Sequence, residues 1–215
     1  MNEIIDLNKM IDFTLLDARA TISDIEKLCN IAYKNGYYSV CVNPCFVSYA
    51  KSYISQNLND SLKVVCVVGF PLGANKTSTK LFEVKEAIND GVDEIDVVIN
   101  ISMAKNGSLD YVKNELTKIK KTAKKIPVKA IIETCYFDEN EIIKLCKICV
   151  KSKIDFIKTS TGFGTAGADV KTVDLINKEV AGKCLIKASG GIRSREQAIE
   201  LVNYGAKRIG TSRIL

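Results

Sequence analysis

Asp155-Phe-Ile-Lys-Thr-Ser-Thr-Gly162 is a short apolar run that ends on a lysine and then opens into small, hydroxylated residues and glycine. That order is the pattern of a buried strand running into a loop, and it sets Lys158 at the strand's end. A lysine side chain in water has a pKa of about 10.4, so only about one molecule in a few thousand carries the neutral, nucleophilic amine at pH 7. At the end of a buried strand such a residue has either a partner or a chemical task.

Working outward, short β-like runs alternate with amphipathic helical stretches along the whole chain. Strands are expected near Asp12–Leu15, Ser39–Val42, Val64–Val68, Glu94–Val98, Val128–Ile132, Phe156–Lys158, Leu185–Lys187 and Arg208–Gly210. Between them, Ser23-Asp-Ile-Glu26 and Ser194-Arg-Glu-Gln197 have the spacing of capping boxes, and Ser108 and Asp138 are expected N-caps. Strand and helix alternating every 25 to 30 residues or so imply right-handed parallel βαβ units, and eight of them close into a (β/α)8 TIM barrel of the α/β class. Residues 1–215 are therefore expected to form one catalytic domain, with 47% hydrophobic residues to fill its core. Only Thr211–Leu215 follow the eighth strand, so the eighth helix is expected to be missing.

A weak internal repeat supports the barrel. Gly36, Gly91, Gly182 and Gly205 stand where a left-handed helix cap would precede a strand, and five residues beyond them come Cys41, Asp96, Lys187 and Gly210. Before the sixth strand Lys153 holds the corresponding place, and five residues on is Lys158. One offset thus delivers five residues to the carboxyl ends of five strands, the face on which barrel enzymes carry their chemistry.

Composition narrows that chemistry. The sequence has no histidine, which removes Ser-His and Cys-His pairs, histidine metal sites and imidazole bases. Its net charge of +6 is spread over helical faces, with Lys113, Lys118, Lys120, Lys121, Lys124 and Lys125 interleaved with Glu115. This is a solvated face rather than a nucleic-acid surface, though a modest positive excess favours a phosphorylated substrate. Eight irregularly spaced cysteines suit free thiols in a reducing cytosol, and Cys146-Lys-Ile-Cys149 lies within an expected helix without a second pair of ligands. Met1–Met10 lacks the apolar core of a signal peptide, and Val64–Ala74, broken by Gly69, Pro71 and Gly73, is too short to span a bilayer. A cytoplasmic protein with no membrane or nucleic-acid partner is expected.

Lys158 and Lys187 end neighbouring strands, which run about 4.8 Å apart. Two ammonium groups about 4 Å apart repel by about 4 kcal/mol at an effective dielectric near 20, enough to lower one pKa by about three units. That would bring one amine toward the range useful to a Schiff-base lysine. Alternatively, both lysines pair with carboxylates such as Asp96 and Glu133 and simply hold the barrel interior together. Asp96 shares a strand face with Glu94, Val98 and Asn100; it is placed either to pass protons or to form an ion pair with Lys129 or Lys158. Ser160–Thr165, Ser189-Gly-Gly191 and Gly210-Thr-Ser212 then supply three loops whose backbone N–H groups can approach phosphate oxygens.

Eight segments together resemble the deoxyribose-phosphate aldolase family: Ile11–Leu16, Ser39–Pro44, Val68–Ala74, Glu94–Asn100, Ile131–Thr134, Phe156–Gly162, Lys187–Arg193 and Arg208–Ser212. The resemblance implies a barrel-fold, class I aldolase that needs neither a metal nor an organic cofactor and cleaves 2-deoxy-D-ribose 5-phosphate reversibly into acetaldehyde and D-glyceraldehyde 3-phosphate. It also implies a small-molecule sugar phosphate as partner and admits a homodimer. By motif position Lys158 would form the Schiff base, Lys187 would lower its pKa and Asp96 would transfer protons. Thr14, Cys41 and Thr161 would line the sugar pocket, and Gly162, Gly190, Gly191, Gly210 and Ser212 would hold the phosphate. Phe13 stands where many members have histidine, Phe163 where some have a phosphate-contacting lysine, and Arg213 where serine is common. Most members continue beyond the eighth strand into a helix and a tail. Two other readings stay open at this level: another Schiff-base or transaldolase-like sugar-phosphate barrel, and a phosphosugar-binding barrel without turnover.

Overall fold

Strands buried on both faces need near-continuous apolar runs, and eight such runs form the wall of the molecule in the computed structural model, which describes residues 6–215. They are β1 (Ile11–Leu15), β2 (Ser39–Val42), β3 (Lys63–Val68), β4 (Glu94–Val98), β5 (Val128–Ile131), β6 (Phe156–Lys158), β7 (Leu185–Ser189) and β8 (Arg208–Thr211). All pair in parallel in sequence order, and β1 pairs with β8 to close the barrel. Every expected strand is present within a residue or two of its expected ends. Residues 1–5, part of the stretch read above as lacking a signal core, lie outside the described residues.

The helices are α1 (Ile22–Lys34), α2 (Val47–Asn57), α3 (Thr77–Asn89), α4 (Ile101–Lys105), α5 (Leu109–Ala123), α6 (Glu139–Lys151), α7 (Val170–Val180) and α8 (Arg195–Asn203). Their apolar faces cover the wall: α1 buries Ile25, Leu28, Cys29 and Ala32, and α7 buries Val173, Ile176 and Val180, the spacing of a single helical stripe. The connection from β4 to β5 carries two helices, α4 and α5, where one was expected. After β8 there is no helix among the described residues; the tail is held instead by Leu215 N donating to Tyr37 Oη at 3.1 Å. No helix among the described residues is long and apolar enough to cross a membrane.

Three local expectations change. The cap of α1 is Thr21, not Ser23: Thr21 and Asp24 form the reciprocal box, because Asp24 Oδ2 reaches the Thr21 amide at 3.0 Å. At α8 Ser194 caps as expected, but the Gln197 side chain accepts from Arg193 N rather than from the cap's own amide. Glu115 is not on the solvated lysine face either. It is fully buried, paired with the equally buried Lys80 at 2.9 Å, and accepts from Asn100 N at 3.0 Å, so that α3 and α5 are pinned to the end of β4.

The five-residue offset is real in the backbone. Gly36, Gly91, Gly182 and Gly205 all have left-handed φ, and so does Lys153 at +57°. Lys124 adopts φ +55° as well, and five residues beyond it lies Lys129 on β5. Inside the barrel the side chains separate into two halves. Leu16, Cys41, Val65 and Val67, with Phe70 against them, form a small apolar cluster on the β1–β3 side. The remaining interior is dominated by charged side chains, with the buried Phe156 ring beside Lys129 and Arg208.

Candidate active site

Register alone brings the two lysines together: Lys158 is the Cα partner of Lys187 across β6 and β7, and Asp96 is the partner of Lys129 across β4 and β5. Their side chains converge on the barrel axis. Lys158 Nζ lies 2.9 Å and Lys187 Nζ 2.7 Å from the same oxygen, Asp96 Oδ2, while Lys129 Nζ lies 2.9 Å from Asp96 Oδ1. The two ammonium groups therefore do not face each other bare, as strand spacing alone implied. A carboxylate oxygen sits between them.

From Asp96 the charges continue into a closed circuit. Lys187 pairs with Asp12 at 2.5 Å, Asp12 with Arg208 at 2.8 Å, Arg208 with Glu94 at 3.0 Å, and Glu94 with Lys129 at 2.5 Å, which returns to Asp96. Tyr38 Oη donates to Glu94 at 2.8 Å and Ser39 Oγ to Asp12 at 2.5 Å, while the Arg208 guanidinium lies 3.6 Å from the Tyr38 ring centroid. All six members are buried. Desolvation of that many charges costs several kcal/mol per ion and is offset only because each has a partner on either side.

Electrostatics follow from that geometry. Burial works against the charge of Asp96, but Lys129, Lys158 and Lys187 hold its carboxyl well below the usual carboxylate range. Asp12 is held low against its own burial by Lys187, Lys129 and Arg208. Burial likewise opposes the charges of Lys187 and Lys129, yet their carboxylate neighbours raise both above the ordinary lysine range.

Lys158 is 3% exposed, and that sliver opens on a cavity of about 600 Å³ at the carboxyl ends of the strands. Thr14, Thr161, Gly162, Gly190, Gly191, Gly210 and Ser212 line it with Lys158. Among the described residues, the N–H groups of Gly162, Gly190, Gly191 and Ser212 donate to no acceptor. These amides at one rim suit a phosphate dianion. The loops that carry them are packed backbone to backbone: a Cβ on Gly167 would lie 2.0 Å from Gly190 O, so only glycine allows the contact. Gly210 has a different reason to be glycine, since a Cβ there would meet Ser189 Cβ at 2.9 Å and Lys187 Cε at 3.1 Å.

Glu133 acts on the rim from β5's end. It has φ +51° and is buried, it accepts from Thr161 N at 3.1 Å, and it also accepts the Thr161 hydroxyl. Thr161 Oγ1 in turn accepts from Phe163 N at 3.0 Å. The Phe163 ring, 60% exposed, meets Phe70 edge to face at 5.3 Å between centroids.

Eight of the sequence-derived site residues thus line the cavity. Asp96 and Lys187 lie beneath it, within reach of Lys158, and Cys41 is buried in the apolar half without lining the cavity, its thiol pushed up by burial. Cys146 and Cys149 are buried on the inner face of α6, where burial pushes the Cys146 thiol up to about 12. No sequence pattern marks Asp12 or Arg208 as site residues, and the sequence marks Glu133 only as a partner for lysine. For Lys129 the sequence signal is its candidacy as an ion-pair partner of Asp96, because no glycine announces the left-handed backbone at Lys124.

A closed parallel barrel with a buried lysine at the carboxyl ends of its strands defines a lysine-centred barrel enzyme, and the chain belongs to the DeoC/LacD family of aldolases, whose model matches residues 7–212. It is 50% identical over 209 residues to the deoxyribose-phosphate aldolase of Thermococcus gammatolerans, covering 96% of this chain and 92% of that one. Among solved structures it matches the aldolase QR15 with TM-score 0.92 and 43% identity, covering 97% and 92% of the two chains. It also matches the deoxyribose phosphate aldolase of Aeropyrum pernix, described as tetrameric, with TM-score 0.89 and 34% identity over 96% and 87%.

Proposed function

We propose that this chain is a deoxyribose-phosphate aldolase, catalysing reversible class I cleavage of 2-deoxy-D-ribose 5-phosphate to acetaldehyde and D-glyceraldehyde 3-phosphate. The observation that carries the reading is Lys158, at the floor of the cavity and hydrogen-bonded to Asp96 at 2.9 Å, beneath a rim of N–H groups without acceptors. The rim holds the phosphate, and Thr14 and Thr161 border the sugar chain, with Cys41 below them.

The Lys158 amine adds to the C1 aldehyde of the open-chain sugar to give a carbinolamine, and loss of water leaves an iminium ion. The 3-hydroxyl passes its proton through water to the ionised Asp96 carboxylate, and the C2–C3 bond breaks with its electron pair flowing into the iminium. D-Glyceraldehyde 3-phosphate leaves an enamine on Lys158. Asp96, through water, delivers a proton to C2 of the enamine. Water then adds to the resulting iminium and frees acetaldehyde and the lysine. Lys187 holds Asp96 in place and adds to the positive charge around Lys158.

The same reading takes residues 1–215 as one catalytic domain working in the cytoplasm and admits a homodimer. Borohydride reduction in the presence of acetaldehyde or deoxyribose 5-phosphate, followed by peptide mapping, tests the chemistry. A reduced adduct on the Lys158 peptide, lost in Lys158→Leu, is expected; an adduct retained in that variant would sink the assignment.

A further inference from the structure

The ionic half of the barrel contains four cations, Lys129, Lys158, Lys187 and Arg208, and three carboxylates, Asp12, Glu94 and Asp96. Six of these seven form the circuit, three positive and three negative, and each circuit cation touches two carboxylates. Lys158 is the seventh. It hangs from Asp96 Oδ2 alone, an oxygen that already serves Lys187.

We propose that Glu94, Lys129 and Arg208, which do not line the cavity, are positioning residues that set the charge state of Lys158 by closing Asp12 and Asp96 into a neutral circuit. Two carboxylates left to Lys187 and Lys158 would compensate both ammonium groups. Tied also to Lys129 and Arg208, the same carboxylates leave one positive charge in excess around Lys158. The inference rests on Lys158 as the Schiff-base amine.

Asp12 comes from β1, Glu94 and Asp96 from β4, Lys129 from β5, Lys187 from β7 and Arg208 from β8. From β2 comes the Cys41 thiol, which burial keeps protonated and neutral, while β3 turns Val65 and Val67 inward. Glu133, beyond β5, is committed to Thr161. Consistent with a fully ionised circuit, Asp12 and Asp96 are held low and Lys129, Lys187 and Arg208 high, each against the pull of its own burial.

Filling the barrel interior would be a purely structural role, and it predicts loss of activity from any substitution regardless of charge. The charge count predicts opposite signs. The rate of borohydride-trapped adduct formation with acetaldehyde is measured against pH for folded wild type, Lys129→Met, Glu94→Gln and the double variant. Removing the Lys129 cation should raise the half-maximal pH by about one unit, and removing the Glu94 anion should lower it by about one unit. The double variant should return toward wild type. If Lys129→Met does not fold, Arg208→Gln carries the same sign and replaces it. Shifts in one common direction, or none, while wild type still forms the adduct would overturn the circuit's role. A wild type that forms no adduct at all would overturn the Schiff-base reading beneath it.

Discussion

Lys158 and Lys187 stand opposite each other on adjacent strands and place their ammonium groups on one oxygen of Asp96, at 2.9 and 2.7 Å. Three buried lysines thus depend on one carboxylate, because Lys129 takes its other oxygen. Asp96→Asn keeps the volume and removes the charge. It should destabilise the protein by about 3–5 kcal/mol, the usual cost of leaving buried charge unpaired, and stop turnover. Urea denaturation followed by circular dichroism reads the first effect; an unchanged midpoint would contradict it.

Lys187→Leu separates support of Asp96 from nucleophilic attack. The Lys158 amine remains, but Asp96 and Asp12 lose a cation, so the charge on Lys158 is better compensated and the neutral amine scarcer. The adduct should still form, more slowly, with kcat down by about a hundredfold and its pH profile moved toward higher pH. A profile identical to wild type would show that Lys187 does not bear on Lys158.

At the rim, Thr161→Val removes the hydroxyl that Glu133 and the Phe163 amide share. Loss of such a buried bond to a charged group costs about 1.5–3 kcal/mol, which corresponds to a KM for deoxyribose 5-phosphate raised by about ten- to a hundredfold. Unphosphorylated 2-deoxyribose should be affected less, because the displaced loop carries the Gly162 amide. Steady-state kinetics on the two sugars decides; equal losses would mean that the contact serves the barrel rather than the rim.

Phe163 offers a complementary gain. Its ring is exposed at the cavity edge, so Phe163→Lys should cost little stability while adding a cation near the phosphate amides. KM for the phosphorylated sugar should fall severalfold at low salt, and the advantage should shrink by about 0.15 M ionic strength. An advantage indifferent to salt would rule out a charge effect.

The pH dependence of stability has a definite sign on each side. Asp12 and Asp96 are depressed in the folded protein, so their contribution is present above their unfolded pKa of about 3.9 and is lost as pH falls toward the folded values. Lys129 and Lys187 are raised, so theirs is present below about 10.4 and is lost as pH rises through the folded values. Urea midpoints from pH 3 to 11 should form a plateau that falls at both ends, and a midpoint that climbs below pH 4 would contradict the carboxylate part.

Much of this was legible because glycine announces left-handed backbone. Gly91 and Gly182 marked the positions from which Asp96 and Lys187 could be counted, and Lys153 marked Lys158 only because its neighbours had already set the interval. Lys124 takes the same conformation without a glycine to signal it, so Lys129 emerged only as a candidate partner of Asp96. Asp12 and Arg208 come from opposite ends of the chain and meet on the adjacent strands β1 and β8, a closure that no local pattern encodes. Glu133 was recognised as a carboxylate for lysine, but its left-handed backbone turns it to Thr161 instead. The second helix between β4 and β5 escaped because Ile101–Lys105 is barely more than one turn.

The division of the barrel interior also constrains how such a sequence can drift. On the apolar side, Val65 and Val67 can exchange for residues of similar volume one at a time, each step tolerated by its neighbours. On the ionic side a single exchange strands a charge, so lineages can cross only by paired or isosteric changes. Relatives compared across this protein should therefore vary freely in one half of the interior and in correlated sets in the other.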